Sequence, residues 1–371
     1  MTRVFLHIGA PKSGTSYLQS TLWRNRALLR EHGLLLPGSR AAHYQAMADL
    51  RGGVWNDGHS EWTWDRMVRR SLRHDGTVLI SEEMLGAATR EQAESAVRRF
   101  GDAEVHVVVA VRDLWRSVPS AWQQSVRART VGTFADFVAR IRDGGNPGFW
   151  DNHFPVPILE RWGTLVPPER RHVVTVPAAG APRSMLWQRF CSVLGLEADD
   201  YAVPGDAANP SLGAPEAELL RRVNAGLGDD FPLRRAYLRS VHALLTRPVL
   251  MRNPAPERFG APIELAPWVE QRSKELAEEL ATYPCHLVGS TDDLLPTGLR
   301  ESRSPDEYDD TELLDLAVHT IVGMVRHSRA EMDRLHRAAD AVRPTPAAPA
   351  PPRPTWRRAL GRVRSKVGGT R

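Results

Sequence analysis

The chain has 371 residues, of which 42% are hydrophobic and 25% charged, so its composition is that of a folded globular protein. It carries only two cysteines, Cys191 and Cys285, which excludes a disulfide-rich scaffold and suits a reducing compartment. The net charge is +5, but residues 344–371 contain seven basic residues and no acidic one, so the rest of the chain is close to neutral. Whole-chain charge therefore gives no support for nucleic-acid binding.

We expect a cytoplasmic protein. The short apolar run VFLHI near the start lacks the longer apolar core and the small-residue cleavage site of a signal peptide. No run approaches the roughly 18 apolar residues that a membrane span needs.

Short apolar runs separated by helical patterns predict an α/β fold. Strands are expected at 4–8, 77–80, 104–111 and 172–176, and the valine-rich run EVHVVVAV is typical of a strand covered on both faces. The intervening helical patterns begin at Thr15 and recur around 61–74, 89–100 and 114–128. This alternation predicts a parallel sheet of the P-loop type with helices on both faces.

Beyond about residue 200 the pattern becomes mostly helical. Helices are expected near 215–226, 234–246, 267–281 and 311–341. We therefore divide the chain into a core at 1–200, a mostly helical C-terminal extension at 201–343 and a tail at 344–371. The long helix at 311–341 could pack within the chain or against another copy, so the oligomeric state stays open.

The tail begins with the Pro-rich stretch PTPAAPAPPRPT, which is typical of an extended linker. Four apolar residues in its basic second half follow helical spacing, as in an amphipathic helix that touches a membrane surface or an acidic partner. A solvated charged tail is the alternative. The four residues are Trp356, Leu360, Val363 and Val367.

The stretch GAPKSGTS, residues 9–16, joins the first strand to the first helix and has the composition of a phosphate-binding loop. Glycines allow close backbone approach, the helix start favours an anion, and Lys12 supplies a mobile positive charge. The loop of nucleotide triphosphatases carries its lysine after the second glycine, whereas Lys12 precedes Gly14. We expect binding of a phosphate-like group here by six consecutive residues. They are Pro11, Lys12, Ser13, Gly14, Thr15 and Ser16.

A second anion site is predicted at the end of the valine-rich strand. Arg112 stands at its carboxyl end, where open α/β sheets bind ligands, and Ser120 follows eight residues later on the next helix. Arginine and serine are suited to hold a second phosphate. Two phosphate sites on one sheet edge indicate a nucleotide with phosphates at both ends.

The motif PKSGT at 11–15 together with Arg112 and Ser120 resembles the sulfotransferases that use 3′-phosphoadenosine 5′-phosphosulfate. The resemblance covers roughly residues 1–200 and is closest to bacterial members related to the carbohydrate sulfotransferases. It implies that the first loop holds the 5′-phosphosulfate and that Arg112 and Ser120 hold the 3′-phosphate. The R-K-G motif that contacts adenine in the cytosolic members is not found here.

This resemblance implies transfer of a sulfuryl group to a hydroxyl or amine of a carbohydrate or small-molecule acceptor. Lys12 would stabilise negative charge on the bridging oxygen without a metal, and no metal-binding motif of the D-x-D, H-E-x-x-H or C-x-x-C type is present. A P-loop kinase or nucleotide triphosphatase and a non-catalytic nucleotide-binding scaffold are the alternatives.

A general base must accept the acceptor's proton. The family usually provides a histidine or glutamate after the first helix, and His43 lies at that place. Glu82 and Glu83 follow the strand at 77–80 and are the rivals, with Glu83 preferred. The alternatives for these residues are a loop histidine without a catalytic task and carboxylates that stabilise a helix start.

The sequence gives weaker predictions for several other side chains. His7 is expected in the core, while His153 and Arg161 are weaker candidates for lining the site. A tryptophan cluster is compatible either with a platform for sugar or aromatic acceptors or with a helix packed on the sheet. It comprises Trp55, Trp62 and Trp64.

Overall fold

The computed structural model of the protein describes residues 2–52, 61–204, 211–231, 235–253 and 256–342. Its centre is a six-stranded sheet in the order β2-β3-β1-β4-β5-β6, in which every pair of neighbours is parallel. The strands are β1 (Arg3–Gly9), β2 (Leu34–Leu35), β3 (Thr77–Ser81), β4 (Glu104–Val111), β5 (Arg171–Thr175) and β6 (His286–Val288). The predicted α/β class with a parallel sheet is confirmed.

Fourteen α-helices are found among the described residues, and they surround the sheet. They are α1 (Thr15–Arg24), α2 (Arg26–Glu31), α3 (Arg40–Arg51), α4 (Thr63–Leu72), α5 (Arg90–Arg98), α6 (Leu114–Arg127), α7 (Phe134–Arg142), α8 (Pro147–His153), α9 (Pro155–Trp162), α10 (Ser184–Leu194), α11 (Ala214–Gly226), α12 (Arg235–Tyr237), α13 (Ala266–Thr282) and α14 (Asp310–Val342).

The alternation of side chains along the strands creates an apolar cluster on each face of the sheet. On β1, Val4, Leu6 and Ile8 point into one cluster, while Phe5 points into the other with residues of α1 and α10. Both faces of β4 are buried, as its run of valines predicts for a central parallel strand. Helices therefore cover both faces of the sheet.

Two strands were not predicted. β2 has only two residues, and β6 has three residues that are exposed or half-buried, so both are too short to give a strand pattern in the sequence. β6 pairs with β5 through His172 and His286, so the chain beyond residue 200 also contributes to the sheet. The helix predicted over 234–246 also differs in form. Its main part is a π-helix, Leu238–Thr246, preceded by the single turn α12.

No helix in the described ranges is both long and apolar enough to cross a membrane. The basic tail at 344–371 and Trp55 lie outside the described residues.

Candidate functional site

The loop between β1 and α1 follows a tight path in which glycine is required. Gly14 has a φ of +79°, and a Cβ at this position would lie 2.4 Å from Leu186 Cδ2. Lys12 also has a positive φ, 65°, which is uncommon for a residue with a side chain. α1 begins at Thr15 without a side-chain cap, so its first N–H groups remain available to an anion.

The side chains of the loop face different surroundings. Pro11, Ser13 and Thr15 are buried, whereas Ser16 is exposed. The hydroxyl of Thr15 donates a hydrogen bond to the Glu83 carboxylate, which follows β3. The loop and the end of the neighbouring strand are therefore connected directly, as two βα turns at one sheet edge would be.

Lys12 lies among charged groups at this edge. The pKa of Lys12 is lowered from 10.5 to about 8, mainly by burial and also by the positive charges of Arg127 and Arg112, which the Glu83 carboxylate partly offsets. An ammonium group in such a place gains from a bound anion, which replaces the lost hydration and the missing counter-charge. The electrostatics of Lys12 therefore favour an anionic ligand.

Arg112 and Ser120 are brought together as their spacing predicts. Arg112 Nη2 donates to Ser120 Oγ at 2.8 Å and to the carbonyl oxygen of Arg116 at 2.6 Å. Arg112 Nε is buried and has no hydrogen-bond partner within the described part of the chain. Burial lowers the pKa of Arg112 to about 10. A buried guanidinium with an unused donor is suited to bind a phosphate oxygen.

Asp113 fixes the turn that carries Arg112. Its carboxylate caps α6 by accepting the N–H of Arg116 at 2.9 Å and also pairs with the Arg116 guanidinium. Arg116 in turn donates to the carbonyl oxygen of Pro177 at 2.9 Å. Asp113 is thus fully engaged in the structure of the turn.

Lys12, Arg112 and Ser120 line one cavity of about 810 Å³. Its volume lies within the usual range for small-molecule sites. The far wall is formed by residues 176–183, 258–260, 297–298 and 300–302. Six basic side chains line the cavity against one acidic side chain, Glu301, so it suits a ligand with several negative charges. The basic residues are Lys12, Arg112, Arg116, Arg183, Arg258 and Arg300.

His43 is held by backbone on both sides of its ring. It is 1% exposed, its Nδ1 accepts the N–H of Ser81 at 3.1 Å, and its Nε2 lies 2.9 Å from the carbonyl oxygen of Pro37. Because a carbonyl only accepts, Nε2 carries the proton and donates it to Pro37. Neither ring nitrogen is left for a substrate, and burial lowers the pKa of His43. This geometry favours a structural task for His43.

Glu82 and Glu83 occupy different environments. Glu83 accepts from Thr15 and its charge acts on Lys12 and Arg127. Glu82 instead caps the short 3₁₀ turn at 83–87 through the N–H of Met84. Burial raises the pKa of Glu82 to about 7, and the neighbouring Glu83 charge adds to this shift. Of the two, Glu83 is the carboxylate beside Lys12.

His153 lies near the same charges. Its Nδ1 donates to the carbonyl oxygen of Phe149 at 3.0 Å, and its ring stacks on Phe149 with centroids 4.7 Å apart. Burial lowers the pKa of His153 to about 4, and the charges of Lys12 and Arg112 act in the same direction. The ring is therefore neutral near pH 7, and its Nε2 is a hydrogen-bond acceptor.

No protein-family model, curated protein or solved structure matches this chain.

The other two predicted side chains, His7 and Arg161, both have structural surroundings. His7 is fully buried, with Nδ1 bonded to Ser81 Oγ at 2.8 Å. Arg161 donates to the carbonyl oxygens of Gly86, Ala88 and Asp151, so it binds backbone segments together. Within the described ranges, no group of three or more histidine, cysteine, aspartate or glutamate side chains could hold a metal ion.

The two described tryptophans of the predicted cluster differ. Trp64 is 2% exposed and packs edge-on against Phe100, whereas Trp62 is 70% exposed. Both line a second cavity of about 560 Å³, which shares no lining residue with the first. Trp64 therefore follows the packing interpretation, and the platform interpretation concerns Trp62.

Sequence reasoning missed the far wall of the cavity. Arg258, Phe259 and Gly260 come from a Pro-rich joint before α13, and the N–H of Gly260 is fixed by Ser302 Oγ at 2.8 Å. Arg300 comes from a loop after β6. Their only sequence signal is the tripeptide R-F-G, which shares its first and third residues with the R-K-G motif.

Proposed function

We propose that this chain is a sulfotransferase with a P-loop-type core. It would move the sulfuryl group of 3′-phosphoadenosine 5′-phosphosulfate to a hydroxyl or amine of a carbohydrate or small molecule. The observation that carries this proposal is that Lys12 and the Arg112–Ser120 pair line one basic cavity at the carboxyl edge of a parallel sheet. A donor with phosphates at two ends needs two such anion sites.

The 3′-phosphate is assigned to Arg112 and Ser120. The Arg112 side chain is already oriented by its bonds to Ser120 and to the Arg116 carbonyl, so little conformational entropy is lost when an anion binds. Arg112 also lines the cavity, so a bound anion can reach it. A dianion at this place would also restore the counter-charge that burial of Arg112 lacks.

The 5′-phosphosulfate is assigned to the loop at 9–16. Lys12 and the first N–H groups of α1 would contact its oxygens. During transfer an acceptor oxygen or nitrogen bonds to sulfur while the bond from sulfur to the bridging oxygen breaks. Lys12 would stabilise the negative charge that develops on that oxygen.

The role of general base, which takes the proton of the attacking hydroxyl or amine, is assigned to Glu83. Its carboxylate accepts a hydrogen bond from Thr15 and its charge acts on Lys12, so it lies close to the loop. A positioned base of this kind contributes typically 10²–10⁴-fold to a rate. The Nε2 of His153 is a second hydrogen-bond acceptor nearby, and it is suited to hold a hydroxyl group of the acceptor substrate in place.

The segment Arg258–Gly260 is assigned to the nucleotide as well. It lines the same cavity as Arg112, and its sequence R-F-G differs from R-K-G only at the middle residue. Arginine and a glycine backbone at this place would add contacts to the 3′-phosphate end of the donor.

Thermal-shift titration tests the proposal. We expect selective stabilisation by 3′-phosphoadenosine 5′-phosphate, with a shift in Tm of about 3 °C when the ligand exceeds its Kd about 100-fold. Stabilisation only by ATP with Mg²⁺ would favour a kinase or triphosphatase instead. No stabilisation by either nucleotide would favour a scaffold.

A further inference from the structure

The C-terminal helix α14 exposes a continuous row of large apolar side chains. Leu314, Val318, Ile321, Val325, Met332 and Leu335 are 52–64% exposed, although residues of this kind are usually buried. The row runs along most of a helix of 33 residues, or about 50 Å at 1.5 Å per residue. An exposed row of this length indicates an interaction surface.

The row follows a heptad pattern. The positions 314, 318, 321, 325, 328, 332 and 335 are separated alternately by four and three residues, and only Ser328 among them is polar. Alternating steps of four and three residues are the spacing with which one helix meets another in a coiled coil. We call these seven positions the seam.

The seam is not the face by which α14 packs on its own chain. That face is formed by Leu313, Leu316, Thr320 and Met324, which are buried or half-buried against the body. Its contacts are mainly with α11 and the π-helix. The partner of the seam is therefore not found among the described residues.

The chemistry of α14 argues against a membrane as its partner. The helix carries six acidic and four basic residues, a net charge of −2, which would be repelled by anionic lipid headgroups. The seam also has only about one residue per turn, whereas an interfacial helix buries a broad apolar face.

We propose that the seam binds the seam of a second copy of this chain, in an antiparallel pair centred near residue 323. In this register Leu314 of one copy lies opposite Met332 of the other, and Ile321 lies opposite Val325. Asp315 then faces Arg329 of the second copy, and symmetry repeats this pair. A parallel pair would place Asp310 against Asp315, which repel each other.

The tail of the same chain is too short to replace the second copy. Its apolar residues from Trp356 to Val367 span 12 residues, or about 18 Å as a helix, against about 30 Å for the seam. A second copy matches both the length and the heptad spacing of the seam.

Sedimentation equilibrium of the full chain tests the proposal. We expect a dimer, and we expect the double variant Ile321→Arg/Val325→Arg to raise its dissociation constant at least about 100-fold, because two charges would be buried without partners. The matched control adds the same two arginines off the seam, His319→Arg/Ala330→Arg, and should remain dimeric. All four substituted side chains are exposed, so far-UV circular dichroism and Tm should stay unchanged in both double variants.

Cross-linking tests the orientation. In a Cys285→Ser background, an equal mixture of Val318→Cys and Ser328→Cys chains should form a disulfide between the two variants, whereas neither chain alone should cross-link. A Ser328→Cys chain that cross-links to itself would overturn the antiparallel arrangement.

A full chain that stays monomeric up to about 100 μM would overturn the pairing itself. A monomer that dimerises only after deletion of residues 344–371 would identify the tail as the occupant and equally contradict it. Seam-dependent binding of the monomer to anionic vesicles would assign the seam to a membrane instead.

Discussion

Replacement of Arg112 by methionine should remove recognition of a 3′-phosphate while leaving the rest of the nucleotide bound. Methionine fills similar space without a charge or a donor. Arg112 is fixed by two hydrogen bonds and half-buried, so its contacts to a phosphate are preformed and only partly screened. Charge-assisted hydrogen bonds contribute about 1.5–3 kcal/mol each. A loss of about 3 kcal/mol corresponds to a roughly 150-fold weaker Kd.

The assay is calorimetric titration of both proteins with two nucleotides. We expect the variant to bind 3′-phosphoadenosine 5′-phosphate with the roughly 150-fold weaker Kd. Its Kd for adenosine 5′-phosphate, which lacks the 3′-phosphate, should change less than about 3-fold. The ligand-free variant should fold normally. The lost hydrogen bonds are balanced by removal of a buried charge whose Nε has no partner in the described ranges, so stability should change by no more than about 1 kcal/mol.

Equal losses for the two nucleotides would refute the assignment of Arg112 to the 3′-phosphate. An unchanged preference for the 3′-phosphate in a folded variant would refute it as well.

Three further outcomes are expected. Because the pKa of Lys12 is lowered to about 8, the group is charged below this pH and loses its proton above it. The affinity for 3′-phosphoadenosine 5′-phosphate should thus fall up to about tenfold per pH unit above pH 8, and Lys12→Arg should remove this dependence in a binding titration. Glu83→Gln should lower kcat by about 10²-fold or more with donor affinity retained, and retention of full turnover would exclude Glu83 as the base. His43→Ala should lower stability by about 2–4 kcal/mol in urea unfolding, since it opens a cavity beside Pro37 and Ser81. The turnover per folded molecule of this variant should remain unchanged. A loss of turnover without a loss of stability would indicate that His43 is the general base.

The strands that form the centre of the fold could be predicted because burial on both faces leaves its mark on the sequence. Glu104–Val111 has the same bounds in the sequence prediction and in the structure. The edge strands β2 and β6 could not be predicted, because two or three paired residues are too few to show a strand pattern. Their pairing depends on the neighbouring strands.

Some residues of the candidate site could likewise be predicted from the sequence, and others could not. Lys12 and the Arg112–Ser120 pair follow directly after strands, so their positions at the sheet edge could be inferred from the chain order. Arg258 and Arg300 reach the cavity from loops far along the chain, and such long-range packing has no local pattern. His43 was expected at the site from its place after the first helix, but its two backbone hydrogen bonds could not be predicted, because they depend on how α3 packs.

The most direct test of the proposed function is transfer of a labelled sulfuryl group. The full chain would be incubated with 3′-phosphoadenosine 5′-phosphosulfate labelled in that group and with a panel of carbohydrate and small hydroxyl or amine acceptors. We predict transfer of the label to at least one class of acceptor, without added divalent cations, and loss of this transfer in Lys12→Met and Arg112→Met. Transfer of the γ-phosphate of ATP in the presence of Mg²⁺, with the sulfuryl donor left intact, would contradict it.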